Sequence, residues 1–212
     1  MKVKALAQYC KKTKYITLLD DVDSQGAVKR QYIHTGTALF PLDGLPLLNE
    51  ETLLAILDVP QDERSEWEVR RGTTDAIGFY TEDNNDNDKV AELIGLDFWA
   101  GGYSVQPFYT PYGMVTIDAD TRRVIADSKK TAEYFARKHG DNVTIIAKNG
   151  FMLIAAITPI RRWATEQISM YLSDVSALAE KLERINTAED DQSENVADGK
   201  SDPLDDETED EE

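Results

Sequence analysis

The chain has 212 residues, 41% of them hydrophobic, and a formal net charge of −17. That is enough to bury a core without disulfides or metal, and no apolar run approaches the ~18–20 residues of a membrane span. The charge is uneven: residues 188–212 hold 13 acids against Lys200, so they carry −12 and leave −5 on residues 1–187. A mimic of duplex nucleic acid needs its charge on a rigid surface, whereas these acids sit on a segment with few apolar residues, which predicts a disordered tail over 188–212.

The opening MKVKALAQYCKKTK has early lysines but no apolar h-region and no cleavage site after one, so a cytoplasmic protein is expected. The lone Cys10 agrees, since it has no internal disulfide partner, and it reads as a buried, inert thiol. Val3, Leu6, Ala7 and Cys10 share one face of a short helix over 3–12, ringed by Lys2, Lys4, Lys11, Lys12 and Lys14. Tyr15–Leu19 reads as a strand, 20–27 as a turn with Gly26, and Gln31–Phe40 as the returning strand of a β-hairpin. Asn49 is a fair N-cap for a helix that Pro60 ends, with Glu50 and Glu51 favourable in its first turn. Trp67–Arg71 and Ala76–Thr81 are short strand candidates.

The polar run EDNNDND, residues 82–88, reads as a solvated loop and a candidate sub-boundary near 82–89. Lys89–Ile94 suggests one or two helical turns. Met114–Asp118 and Arg123–Ala126 read as strands joined by a turn over Ala119–Arg122. Ser128 is placed to cap a helix running to His139, with Gly140 at its C′ position. Asn149-Gly150, between two β-rich runs, is the strongest hairpin signal in the chain. Trp163–Ile185 is the longest expected helix: Ala164, Ile168, Tyr171, Val175, Leu178, Leu182 and Ile185 follow a heptad seam, widened by Leu172 and Ala179. The seam has two readings, docking on the protein's own sheet or pairing with a second subunit as a homodimer. The pattern predicts an α+β fold with antiparallel β-hairpins, short helices, a long C-terminal helix and a disordered acidic tail, with residues 1–187 as the globular region.

Catalytic signatures are weak. Aligned as a calcium loop from Asp83, EDNNDND puts Asp88 where glycine is required and Ile94 where a bidentate glutamate is required. Asp118-Ala-Asp120 after an apolar strand suggests phosphoryl transfer of the haloacid-dehalogenase type, but Thr121 comes one place early and no phosphate-binding helix has room to follow, so a hairpin turn fits better. Two histidines, His34 and His139, and one cysteine give no zinc spacing, and no motif flanks a Cys–His pair. Phosphate-loop, dinucleotide and nucleophile-elbow motifs are absent from the sequence. The expectation is a non-enzymatic protein with no cofactor and no metal. A carboxylate-metal hydrolase needs no local motif and stands as a further reading.

The segment FWAGGYSVQPFYTPYG is unusual. It gathers Phe98, Trp99, Tyr103, Phe108, Tyr109 and Tyr112, with no Lys or Arg between Lys89 and Arg122. Base stacking without phosphate neutralisation is poor nucleic-acid chemistry. The readings are packing on the core, anchors for a protein partner, or stacking on a ligand. The N-terminal lysines with Arg122, Arg123, Lys129, Lys130, Arg161 and Arg162 offer the alternative of a nucleic-acid-binding regulator.

The opening MKVKALAQYCKKTKYITLLDDVD, the segment TALFPLDGLP and the hairpin KNGFMLIAAI together resemble an uncharacterised protein family of prophages and integrative elements of Firmicutes. Such elements carry small proteins that block host defences, including inhibitors of Cas9-type CRISPR nucleases. What the resemblance implies is a host protein as partner, a nucleic-acid-processing nuclease by preference, with no functional residue carried over.

Overall fold

In the computed structural model the described residues are 3–77, 81–100, 103–125, 132–160, 166 and 168–181. The chain divides into two compact units, Met1–Ser169 and Met170–Glu212. The division does not fall near 82–89.

The first unit begins with α1 (Val3–Thr13), whose buried residues Leu6, Ala7 and Cys10 are those its helical spacing aligns. Then β1 (Tyr15–Val22) turns into β2 (Val28–His34), as an antiparallel pair. Asp23 holds the turn by accepting from the backbone N–H groups of Gln25 and Ala27, and Gly26 takes φ +82°. The expected single strand to Phe40 is broken at Gly36, φ +91°, so β3 (Ala38–Pro41) folds back on β2. Helix α2 (Glu50–Ile56) starts at Asn49, whose side chain accepts from the Thr52 N–H while the Thr52 hydroxyl accepts from the Asn49 N–H. The Gln31 amide seats this helix. It accepts from the Leu48 N–H, and it donates to the Leu48 carbonyl and to Asp20.

Strand β4 (Glu68–Thr73) pairs parallel with β1. Of the strand expected over Ala76–Thr81, Ala76 and Ile77 instead close a 3-10 turn (Thr74–Ile77), and 78–80 lie outside the described residues. Residues 88–94 are extended, not helical, and hold the short strands β5 (Asp88–Val90) and β6 (Glu92–Leu93), which belong to different sheets. β7 (Phe98–Ala100), β8 (Tyr103–Thr110) and β9 (Gly113–Asp118) complete a smaller sheet with β6. After β9 the chain forms α3 (Ala119–Val124), where a turn and another strand were expected, because Asp118 caps it by accepting from the Asp120 N–H. The expected helix through His139 is instead β10 (Ala132–His139). Tyr134 and Ala136 join the larger core while Phe135 packs on the smaller one, a period of two that only a strand gives. Gly140 serves the turn to β11 (Asn142–Asn149), which forms the Asn149-Gly150 hairpin with β12 (Met152–Ile157).

The large sheet runs β4-β1-β2-β3-β12-β11-β10-β5. One face builds the main core with α1, α2 and the small sheet: Ile16, Leu18, Ile33, Phe40, Ile145, Ala147 and Ile157 meet Leu6, Leu53, Phe108 and Ile117. The other face carries Leu19, Tyr32, Leu39, Ile146, Leu153 and Ala156. Alternate side chains are thus apolar in both directions, as a sheet buried on both faces requires.

β4 and β5 follow each other in sequence yet occupy opposite ends of this sheet. Seven inter-strand spacings make about 34 Å, so the connection over 74–87 has to cross the sheet. Its described residues from Thr81 onward lie on the second face as a strap. Tyr32 donates to the Thr81 carbonyl, Asp83 accepts from the Leu153 N–H, and Arg137 donates to the Glu82 carbonyl.

In the second unit the described residues 170–181 are helical, in line with the heptad spacing. Ala164, Leu182, Ile185 and the tail over 188–212 lie outside the described residues.

Candidate functional site

The acidic strap lies against three cations. Asp88 receives Arg137 through Nε at 2.6 Å and Nη2 at 2.9 Å, and Lys148 Nζ at 2.6 Å. Arg137 is wholly buried, and Lys148 and Asp88 are nearly so. Asp83 accepts from Arg30 at 2.9 Å, and Arg30 also pairs with Asp43. Two of these cations lie over aromatic rings, Arg30 over Tyr32 at 5.4 Å and Lys148 over Phe135 at 4.9 Å. Burial pushes the Asp88 carboxyl upward, but the hydrogen bonds and charges of Arg137 and Lys148 outweigh it and hold it below the usual carboxylate range. Asp83 is likewise pushed up by burial and brought below its ordinary value by the Leu153 N–H and Arg30. EDNNDND is therefore a counter-ion strap across the sheet, not a freely solvated loop. The sequence hides this because its cations come from β2, β10 and β11.

The Asp118-Ala-Asp120 motif is also engaged in structure. Asp118 caps α3 and accepts from the Tyr9 hydroxyl at 3.4 Å. Burial raises its carboxyl above the ordinary value. Asp120 takes both Lys12 and Arg123. Other basic spots close on neighbouring acids in the same way, Lys14 on Glu66 and Arg70 on Glu68. Lys129, Lys130, Arg161 and Arg162 lie outside the described residues.

Cys10 is fully buried, and burial pushes its thiol up to about 12, far from a nucleophile's range. His34 is half-buried on β2, and burial lowers its pKa. His139 ends β10, and β3, β12 and β11 lie between those two strands. Among the described residues no three His, Cys, Asp or Glu side chains converge.

The aromatic segment does not assemble as one patch. Phe108 is buried, edge-on to Tyr134 at 5.1 Å between ring centres, and Phe98 is half-buried. Trp99 stands 78% exposed and Tyr109 58% exposed. Trp99 pairs with Ser104, and Tyr109 with Glu92 and Met114, so alternation along β8 puts the two aromatics on opposite faces and toward opposite ends. Tyr103 is placed as a backbone position only. Tyr112, at the β8–β9 turn, has Lys138 of β10 over its ring at 5.4 Å, and Arg122 donates to Gln106 within β8. The fold thus brings cations to a stretch that has none in sequence. Pro107 explains the broken edge of this sheet. Its carbonyl accepts from the Ile94 N–H, but it has no N–H to return, and pairing on that edge lapses until Phe98.

Sequence reasoning missed the tip of the β11–β12 hairpin, where Phe151 is 81% exposed beside an exposed Met152. The signal was present as an apolar residue directly after Asn149-Gly150. Of the heptad seam, Ile168 is buried in the first unit, whereas Tyr171, Val175 and Leu178 are each more than half exposed. Among the described residues no helix is long and apolar enough to cross a membrane.

No protein-family model, curated protein or solved structure matches this chain.

Proposed function

We propose that this chain is a non-enzymatic binding protein of a mobile element, one that docks on a host nucleic-acid enzyme and inhibits or modulates it. A Cas9-type CRISPR nuclease is the specific version. The observation that carries the binding reading is Trp99, left 78% exposed on β7 at the outer edge of the small sheet. Tryptophan is among the residues most enriched at the hot spots of protein interfaces, and this one presents most of its surface to water from a strand. The engagement of Asp83, Asp88, Asp118 and Asp120 in caps and ion pairs, with the deep burial of Cys10, supports a binding role over a catalytic one. The nuclease version rests on the resemblance of the N-terminal, TALFPLDGLP and hairpin segments.

Adding the full chain to a cognate defence nuclease is expected to suppress DNA cleavage, with the Trp99→Ala chain at least about ten-fold weaker. Unchanged cleavage would sink the nuclease version. Failure of wild type and Trp99→Ala to differ in proteins captured from host lysate would sink the binding role of this edge. A salt-dependent shift of DNA by the chain would replace this reading with the nucleic-acid regulator.

A further inference from the structure

The stripe of Tyr171, Val175 and Leu178 is apolar, exposed and spaced four and three residues apart on a helix whose other described positions are small or polar, apart from the buried Ile168 and from Met170 and Leu172. In the heptad that these residues define, Val175 is an a position, and Tyr171 and Leu178 are d positions. Leu172 and Ala179 then fall at e, and Asp174 and Lys181 at g.

We propose that this helix binds the same helix of a second copy of the chain, in antiparallel orientation. The flanking charges select both the occupant and the direction. In a parallel pair, g faces e of the next heptad, so Asp174 meets Ala179 of the partner subunit and no ion pair forms. In an antiparallel pair, a faces d, g faces g and e faces e. With Val175 against Leu178 of the partner subunit, Asp174 lies opposite Lys181 of the partner subunit. The two-fold axis repeats that ion pair further along the same face, and the e positions lie on the opposite face. The same register sets Leu172 against Ala179 of the partner subunit, a large residue against a small one. The apolar stripe and the charge pattern arise from different residues, and both are satisfied by one self-complementary arrangement.

The full chain is expected to show a concentration-dependent dimer mass by light scattering at micromolar concentration, in about 0.15 M salt so that the acidic tails are screened. Val175→Asp should give a monomer mass. Asp174→Lys should weaken self-association roughly ten-fold, because like charges then face each other twice per dimer. Adding Lys181→Asp to that variant should restore it. Oxidation of the Tyr171→Cys chain should give no 171–171 disulfide, since the antiparallel register holds those positions about 16 Å apart along the axis. The buried Cys10 gives little background. A wild-type monomer mass, charge reversal without effect, failure of the double variant to recover, or a ready 171–171 disulfide would each overturn the proposal.

Discussion

Two short acidic segments, EDNNDND over 82–88 and Asp118-Ala-Asp120, suggest metal or phosphoryl chemistry in sequence, and the fold uses each differently. The strap places Asp88 beside a wholly buried Arg137 and a nearly buried Lys148. The second segment starts a helix and gathers Lys12 and Arg123, both largely exposed, around Asp120. The carboxylate chemistry is the same; the difference is water. Removing one member of a buried pair strands charge in a poor solvent, whereas an exposed cation rehydrates. Like composition therefore carries unlike energetic weight.

The contrast breaks if Asp88→Ala is mild. Leaving Arg137 and Lys148 without their carboxylate should cost about 3–5 kcal/mol, read from the denaturant midpoint of the folded unit. Asp118→Ala removes the cap of α3 and should cost about 1 kcal/mol in the same titration.

The two aspartates should also separate with pH. Asp88 has a folded pKa below its unfolded value, so its contribution is fully present above about pH 4 and is lost as pH falls through the lower folded value. Asp118 is raised, so the folded state takes up its proton first and gains stability as pH drops from that raised value toward about 4. Unfolding midpoints across pH 3–6 should show a shallower acid loss for Asp88→Asn and a steeper one for Asp118→Asn; parallel profiles for both would remove the distinction. The smallest effect is expected for Lys12→Ala, at most about 0.5 kcal/mol, since its amine is mostly in water.

The elements legible in the sequence are those with local signals. Helix α1 follows from the spacing of Leu6, Ala7 and Cys10, and α2 from the Asn49 cap. The β1–β2 turn follows from Asp23 and Gly26, and the last hairpin from Asn149-Gly150. The elements missed depend on distant partners. Ser128 and Gly140 give residues 128–139 the punctuation of a helix, yet β10 is a strand because β11 and β5 lie on its two sides. Residues 89–94 read as helical turns because β5 and β6 are short and belong to different sheets. At the candidate site, the aromatic content of 98–112 was plain. Which rings face water was not, because residues 105–108 are buried in succession, so burial along β8 does not follow a polar–apolar alternation from which a face is read.

By itself the sequence determined the caps, turns and apolar periodicities, and the concentration of acid beyond residue 187, because these depend on neighbours within a few positions. Only the tertiary structure decided that β4 and β5 end up at opposite edges of one sheet, that the chain between them must cross its face, and that Asp83 and Asp88 there meet Arg30, Arg137 and Lys148. It also decided that Phe108 is core while Trp99 stands in water. Ion pairs and burial depend on which strands become neighbours, and strand order is set by packing over the whole domain, not by any local run of residues.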